Sequence, residues 1–306
     1  MYNDIVSVII PARNEPFLSK TIKDILAKAK GAIEVIVILD GYWMKPEEIV
    51  EDKRVVYIHY GDARGMRNGI NMALNISHGK YIMKSDAHCM FDEGFDVKLK
   101  ADVPVYERLI DELTTEDNWI VIPRRLRLDP VNWCINAETI DKPPVDYEFL
   151  SSPDYDGAKG NIWNERTVER INKPEYLIDE TPSFQGSCYF CTRNHFLNTL
   201  GGLSEVGYGS FVREAQEIGL KTFMSGGRVL VNKKTFYAHL HKGTKFGRGY
   251  YIDKMKMIDG NKYCDSIWFE NRWEGAIHDM AYFVEHFGGD KMPNWTKEQI
   301  EKVRKK

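Results

Sequence analysis

No apolar run in the chain approaches the ~20 residues needed to cross a bilayer. The first apolar segment, Ile5–Ile10, is too short for a signal peptide and reads as a strand. A soluble, cytoplasmic protein without membrane insertion is the expectation. Cysteine is scarce: Cys89, Cys134, Cys188, Cys191 and Cys264 are an odd, scattered set, unlike a disulfide framework and suited to a reducing compartment. Cys188 and Cys191 form a lone C-x-x-C, but Gln185–Thr192 reads as a strand. Residues three apart on a strand point to opposite faces, so no shared metal is expected there. An excess of one charge is also missing. The formal net charge is -3 over 306 residues, which rules out a wholly basic nucleic-acid binder and leaves room for a local basic face. Repeats and low-complexity tracts are absent. A hydrophobic fraction of 43% and seven tryptophans are enough for a real core, in one large α/β domain or two small ones.

Ile5–Ile10 is nearly continuous in apolar character, as in a strand buried on both faces, and Pro11 stops it. Leu18, Ile22, Ile25, Leu26 and Ala29 then recur at helical spacing. Glu34–Leu39, which runs into Asp40-Gly41, and Arg54–His59 are further strands. Met66, Ile70, Ala73 and Leu74 stripe a second helix, and Lys80–Lys84 is a fourth strand leading into Ser85–His88. This order predicts an α/β fold with a mostly parallel sheet flanked by helices, and ligands bound beyond the carboxyl ends of its strands. Residues 131–180, with Pro143-Pro144 and Ser151-Ser152-Pro153, are expected to form a long irregular connection carrying acceptor contacts or a lid. Order returns at Phe184–Phe190. Ile277, Met280, Ala281 and Val284 mark a later helix, and Thr296–Gln299 is a capping box opening another.

Every polar cluster of interest sits at a strand end or a helix start. Asp86 and His88, two residues apart at a strand end, project to one side. A carboxylate and an imidazole so placed can hold a divalent cation and leave coordination sites open. Cleaving a sugar–phosphate bond builds negative charge on the departing diphosphate, which such a cation offsets.

Ser85–Cys89 resembles the Asp-x-His metal motif of the polypeptide N-acetylgalactosaminyltransferases, relatives of the family 2 glycosyltransferases with the GT-A (Rossmann-like) fold. Val6–Glu15 resembles that family's opening strand and its Pro-x-x-Asn-Glu turn. Gly186–Phe190, then Phe196 and Leu200–Gly202, look like its later strand and Leu-Gly-Gly turn. Glu214–Glu217 resembles its Glu-Asn-x-Glu segment and Ser225–Gly227 its Cys-Gly-Gly. The likeness covers residues 5 to 95 and 182 to 243.

The resemblance implies a metal-dependent hexosyltransferase using a UDP-sugar with Mn2+ or Mg2+. It implies Asp86, His88 and His239 as metal ligands. His241 shares the strand parity of His239, and the count from Gly227 favours His239. It also implies Pro11, Arg13, Asn14, Glu15, Asp40, Arg64, Arg67 and Lys242 around the donor. Asp40 would accept from the uracil N3–H, although a helix-cap role uses the same carboxylate. Arg64 and Arg67 flank a positive helix start suited to diphosphate, and the family's Arg-Asn pair favours Arg67. Glu214 and Glu217, one helical turn apart and so neighbours on one face, would serve the sugar or the acceptor. The chain departs from both patterns: the Glu-Asp pair of inverting relatives is missing and Phe211-Val212-Arg213 replaces the Trp-Gly-Gly of retaining ones, which leaves the donor sugar open and the outcome only leaning to retention.

On this reading residues 1–245 form the GT-A domain, with a nucleotide-binding half (1–130), the irregular insertion (131–180) and an acceptor half (181–245). Residues 246–306 add a basic loop and a helical C-terminal extension. Lys242–Tyr251, continuing to Lys254 and Lys256, interleaves basic residues with aromatics and glycines. It suits a lid over phosphates and equally a nucleic-acid strand, and Pro123–Arg127 is a second basic cluster. The acceptor stays open between DNA, such as a hydroxymethylpyrimidine, a glycan and a small molecule. Two rivals remain: a nucleotidyltransferase, which should show a glycine-rich phosphate loop where Pro11–Glu15 stands, and a non-catalytic binding module, which need not keep Asp86 and His88.

Overall fold

A computed structural model describes residues 3–110, 117–139, 141–209 and 211–305. The first half alternates as the apolar runs predict: β1 (Asn3–Ala12), α1 (Leu18–Lys28), β2 (Ile33–Asp40), β3 (Val55–Tyr60), α2 (Met66–Ile76) and β4 (Gly79–Ser85). Then follow β5 (Cys89–Phe91), α3 (Phe95–Ala101), α4 (Val103–Leu109) and β6 (Trp119–Asp129). The connecting region holds β7 (Cys134–Ile135), β8 (Glu148–Leu150), β9 (Gly160–Ile162), α5 (Asn164–Arg170) and β10 (Ile178–Glu180). The chain continues with β11 (Cys188–Thr192), α6 (Glu214–Met224), β12 (Arg228–His239) and α7 (Gly243–Phe246). It closes with α8 (Lys254–Phe269), α9 (Met280–His286) and α10 (Lys297–Lys302).

The central sheet runs β10-β12-β6-β11-β4-β1-β2-β3. Its parallel character is held in two blocks, β4-β1-β2-β3 and β12-β6, joined by β11, which is antiparallel to both β4 and β6. Val6, Val8, Ile9 and Ile10 of β1 and Val35, Val37 and Ile38 of β2 are fully buried. Helices on both faces explain why these strands carry apolar residues at successive positions instead of alternating. Burying each such side chain is worth roughly 1.5–3 kcal/mol, so the sheet centre is the rigid floor from which the strand ends project.

Residues 131–180 are more ordered than their composition suggests. Strands β8 and β9 form a hairpin, and Phe149, Leu150 and Ala158 pack in a second core with Phe223 and Met224 of α6, Cys264 and Trp268 of α8, and the last two helices. The Trp295 indole donates to the Leu150 carbonyl at 2.8 Å, tying the C-terminal extension to the insertion. The Thr296 capping box closes with both of its hydrogen bonds. Among the described residues no helix is long and apolar enough to cross a membrane.

Candidate active site

Two ladders assemble the site. Antiparallel pairing of β4 with β11 brings the Asp86 amide to the Ser187 carbonyl at 2.7 Å. Antiparallel pairing of β5 with β12 sets His239 opposite Cys89, and the Leu240 amide donates to the His88 carbonyl. The two histidines, 151 residues apart, thereby meet with Nε2 atoms 3.1 Å from each other. Asp86 Oδ2 lies 3.3 Å from His239 Nε2 and 3.9 Å from His88 Nε2.

An octahedral ion with bonds of about 2.1 Å holds neighbouring ligands about 3 Å apart, so one oxygen and two nitrogens at these spacings fit a divalent cation. Ligand atoms of Asp86, His88 and His239 all lie within 4.8 Å of one another. His241 lines the same cleft, its ring centred 5.4 Å from that of His239, and is not part of this group.

The protonation states agree with cation binding. Burial pushes the His239 imidazole down to about 3, which keeps a lone pair available. Burial would raise the Asp86 carboxyl, but Lys84 and the two histidines hold it well below the ordinary carboxylate range. His88 is oriented from behind: its Nδ1 lies 3.2 Å from Glu15 Oε2, and Glu15 is also bonded by Lys242. Burial would raise Glu15, yet these two partners keep it low.

The donor-side residues fall into two sets. Pro11, Arg13, Glu15, Asp40 and Lys242 line one cleft of about 600 Å³ with the three metal-site residues. The Asp40 carboxylate accepts from the backbone amides of Arg64, at 2.6 Å, and of Gly65, so it anchors the start of α2 while facing the cleft. Arg13 sits over the Tyr250 ring at 4.9 Å, and Asn14 donates to the Gly249 carbonyl, fastening the 247–252 segment across the cleft.

Arg67 and Glu217 stand apart from this cleft. Arg67 is only 2% exposed and ion-paired with Glu217, and it donates to the carbonyls of Ser204 and Val212. The pair therefore clamps α2 to α6 and is closed to a diphosphate. Arg64 is exposed and stacks on Tyr60. Although one turn apart, Glu214 and Glu217 have separate surroundings: Glu214 faces Lys84 and Tyr189, and Glu217 faces Arg67 and Lys221.

A second cavity of about 290 Å³ opens off the cleft, sharing Met66, Asp86, Gln185 and Phe211 with it. Lys84, which the sequence reading does not single out, forms part of its wall. It is 1% exposed, donates to Asp86 at 2.6 Å and lies 3.4 Å from Glu214. Burial would lower the Lys84 ammonium, but these two carboxylates hold it above its usual value. The signal was a lone cation in the otherwise apolar run Tyr81-Ile82-Met83, because a buried lysine requires a countercharge.

Residues 7–102 match glycosyl transferase family 2. A crystal structure of GalNAc-T7 with UDP, GalNAc and Mn2+ superposes with a TM-score of 0.65 at 16% identity, over 98% of this chain and 53% of that one. A complex of S. aureus TarS 1-349 with UDP-GlcNAc gives 0.56 at 13% identity, over 92% of this chain and 69% of that one. The chain has the GT-A fold of the family 2 glycosyltransferases. It spans about half the length of the GalNAc-T7 chain, and no curated protein matches its sequence significantly. Within this GT-A fold the Asp86–His88–His239 group lies at the carboxyl ends of β4 and β12, where open α/β sheets bind ligands.

Proposed function

We propose that the chain is a metal-dependent glycosyltransferase that moves a sugar from a UDP-sugar to a hydroxyl acceptor. The observation that carries this reading is the convergence of Asp86, His88 and His239 on one cleft that Asp40, Arg13 and Lys242 also line. Asp86, His88 and His239 would hold Mn2+ or Mg2+. When bound, the cation would neutralise charge growing on the departing diphosphate. Arg13 and Asp40 would take the uridine, Asp40 through lone pairs left over from the α2 amides. Lys242 would meet phosphate, and Arg64, at the mouth, would add charge from outside. Arg67 and Glu217 are assigned to holding the fold, and Glu15 to orienting His88.

The second cavity supports a retaining outcome. Glu148 is ion-paired with Arg125, and Glu214 is engaged by Lys84 and Tyr189. Burial raises the Glu214 carboxyl and so makes it more basic, but Lys84 and Tyr189 already engage both of its oxygens, and that occupancy suits it to hold a sugar hydroxyl rather than to strip a proton. The acceptor oxygen would bond to the anomeric carbon as that carbon's bond to the diphosphate oxygen breaks. The electron pair leaves with UDP, and the hydroxyl proton passes to the departing diphosphate. The segment from Lys242 to Ile252 lines the donor cleft through Gly247, Arg248 and Tyr250, which favours a lid that keeps water from the activated sugar. Calorimetry of UDP with Mn2+ tests the centre. Asp86→Ala and His239→Ala should abolish metal-dependent UDP binding and His241→Ala should retain it. Unchanged affinity in Asp86→Ala would sink the site. UDP release from a panel of UDP-sugars identifies the donor.

A further inference from the structure

The second cavity holds one charge that has no ion pair among the described residues. Lys84 is paired with Asp86 and Glu214, Glu148 with Arg125, and Lys159 with Asp156. Arg213, on the same wall, has no ion pair among the described residues. Its sole hydrogen bond there is a long one, 3.4 Å, to the Asp156 carbonyl, and its Nε is buried without a partner. Asp265 lies close enough for each to feel the other's charge, but its carboxylate is bonded to the Ala158 amide. A guanidinium is a rigid fork of five donors shaped for oxyanions, and a buried donor left unmatched costs stability.

The backbone makes the arginine harder to explain as filler. Arg213 sits at φ 56°, ψ 25°, in the left-handed region that glycine occupies freely and side chains do not. Strain of this kind persists where the surroundings impose it, and it clusters at ligand sites. A side chain is thus kept at a glycine-like position, on the wall of a cavity that shares Asp86 with the metal centre.

We propose that this cavity is the acceptor pocket and that Arg213 binds an oxyanion, a phosphate or a carboxylate, carried by the acceptor near the hydroxyl that receives the sugar. This rests on the donor-site reading above and narrows its acceptor to an anionic one. Glu214 and Gln216 on the same wall take the neutral hydroxyls, and Lys84 is already spent on Asp86.

The test uses the full chain saturated with Mn2+ and UDP and titrated calorimetrically with methyl phosphate, glucuronate and neutral methyl glucoside. The first two should bind and the third should not, and whichever of the two binds tighter names the oxyanion. Arg213→Gly should weaken anion binding by about tenfold or more, as for loss of a charge-assisted bond. UDP affinity should stay within about twofold in that variant. Its melting temperature should hold or rise, because glycine relieves the left-handed strain. Arg213→Lys should recover part of the anion affinity. Unchanged anion binding in Arg213→Gly overturns the proposal, as does a failure of the wild type to bind either anion. A melting temperature that falls while anion binding persists would make Arg213 a structural cation. Loss of affinity for UDP-glucuronate alone would move the charge to the donor sugar and overturn it too. Failure of wild-type protein to bind UDP with Mn2+ would instead sink the donor-site reading, so the two failures are distinguishable.

Discussion

Replacing Glu15 by glutamine separates a ligand-orienting role from a nucleotide-contacting one. The Glu15 carboxylate, 5% exposed, accepts from His88 Nδ1 at 3.2 Å and from Lys242. A metal-ligating imidazole whose other nitrogen donates to a carboxylate is held in one tautomer and is a stronger base. Glu15→Gln keeps the volume and an acceptor oxygen but removes the charge, and it leaves the half-buried Lys242 ammonium without its partner. Hydrogen bonds to charged groups are worth about 1.5–3 kcal/mol, and losing an outer partner of a metal ligand costs about 10–100-fold in affinity, or roughly 1.4–2.7 kcal/mol. The two estimates agree. Direct titration with Mn2+, without nucleotide, should therefore show Kd rising by about 10–100-fold in Glu15→Gln. UDP affinity measured without metal should hold or rise, because Lys242 is freed for phosphate. A variant with wild-type Mn2+ affinity and weakened UDP binding would refute the argument and return Glu15 to the donor wall.

Two further outcomes are expected. His195 is fully buried, its Nε2 2.9 Å from the Thr222 hydroxyl, which itself donates to the Ile218 carbonyl, and burial lowers the imidazole from 6.5 to about 4. The unfolded chain thus binds the proton first, so stability is level above about pH 6.5 and falls as pH drops toward 4. His195 contributes about 2 kcal/mol to the loss by pH 5, so the acid loss should shrink by about that much in His195→Gln when urea unfolding is compared at pH 7 and pH 5; an equal acid loss in the variant would clear His195. Arg248 lines the donor cleft and lies 5.2 Å from the Phe211 ring, whereas Lys245 is seated over Phe246 outside it. Arg248→Ala should then weaken UDP-sugar binding several-fold and Lys245→Ala should not. Loss of hydroxymethylpyrimidine-duplex binding with the donor affinity intact would reassign the stretch to a DNA groove.

The parts of the site that the sequence disclosed are those set by one strand or one turn. Asp86 and His88 are brought together by the tight turn between β4, which ends at Ser85, and β5, which starts at Cys89, so their close spacing is legible although no strand carries them; β1 and β2 are visible because double burial demands unbroken apolar runs. Choosing His239 over His241 was a matter of register. Parity could not separate them, whereas pairing of β12 with β5 puts His239, and not His241, opposite Cys89. Residues 131–180 read as irregular because β8, β9 and β10 are three residues each, too short to show a period; the β8–β9 hairpin is held by a core shared with the distant helices α8, α9 and α10, and β10 by pairing with β12.

Arg67 shows where local reading reaches its limit. A cation in the first turn of a helix has the same sequence signature whether it faces a phosphate or a buried glutamate. Only the packing of α2 against α6 decides that Arg67 meets Glu217. The converse holds for Arg213, which the sequence marks only as a departure from the Trp-Gly-Gly of retaining relatives. Its left-handed backbone and unmatched Nε become visible only when α6 is placed against the second cavity. Charged side chains in this chain are therefore best sorted by which countercharges the fold supplies. Those already paired inside, such as Arg67, Arg125 and Lys84, hold the architecture. Arg213, without an ion pair among the described residues and on the wall of the second cavity, keeps bonding capacity for a ligand, as Arg13 and Arg248 do on the donor cleft.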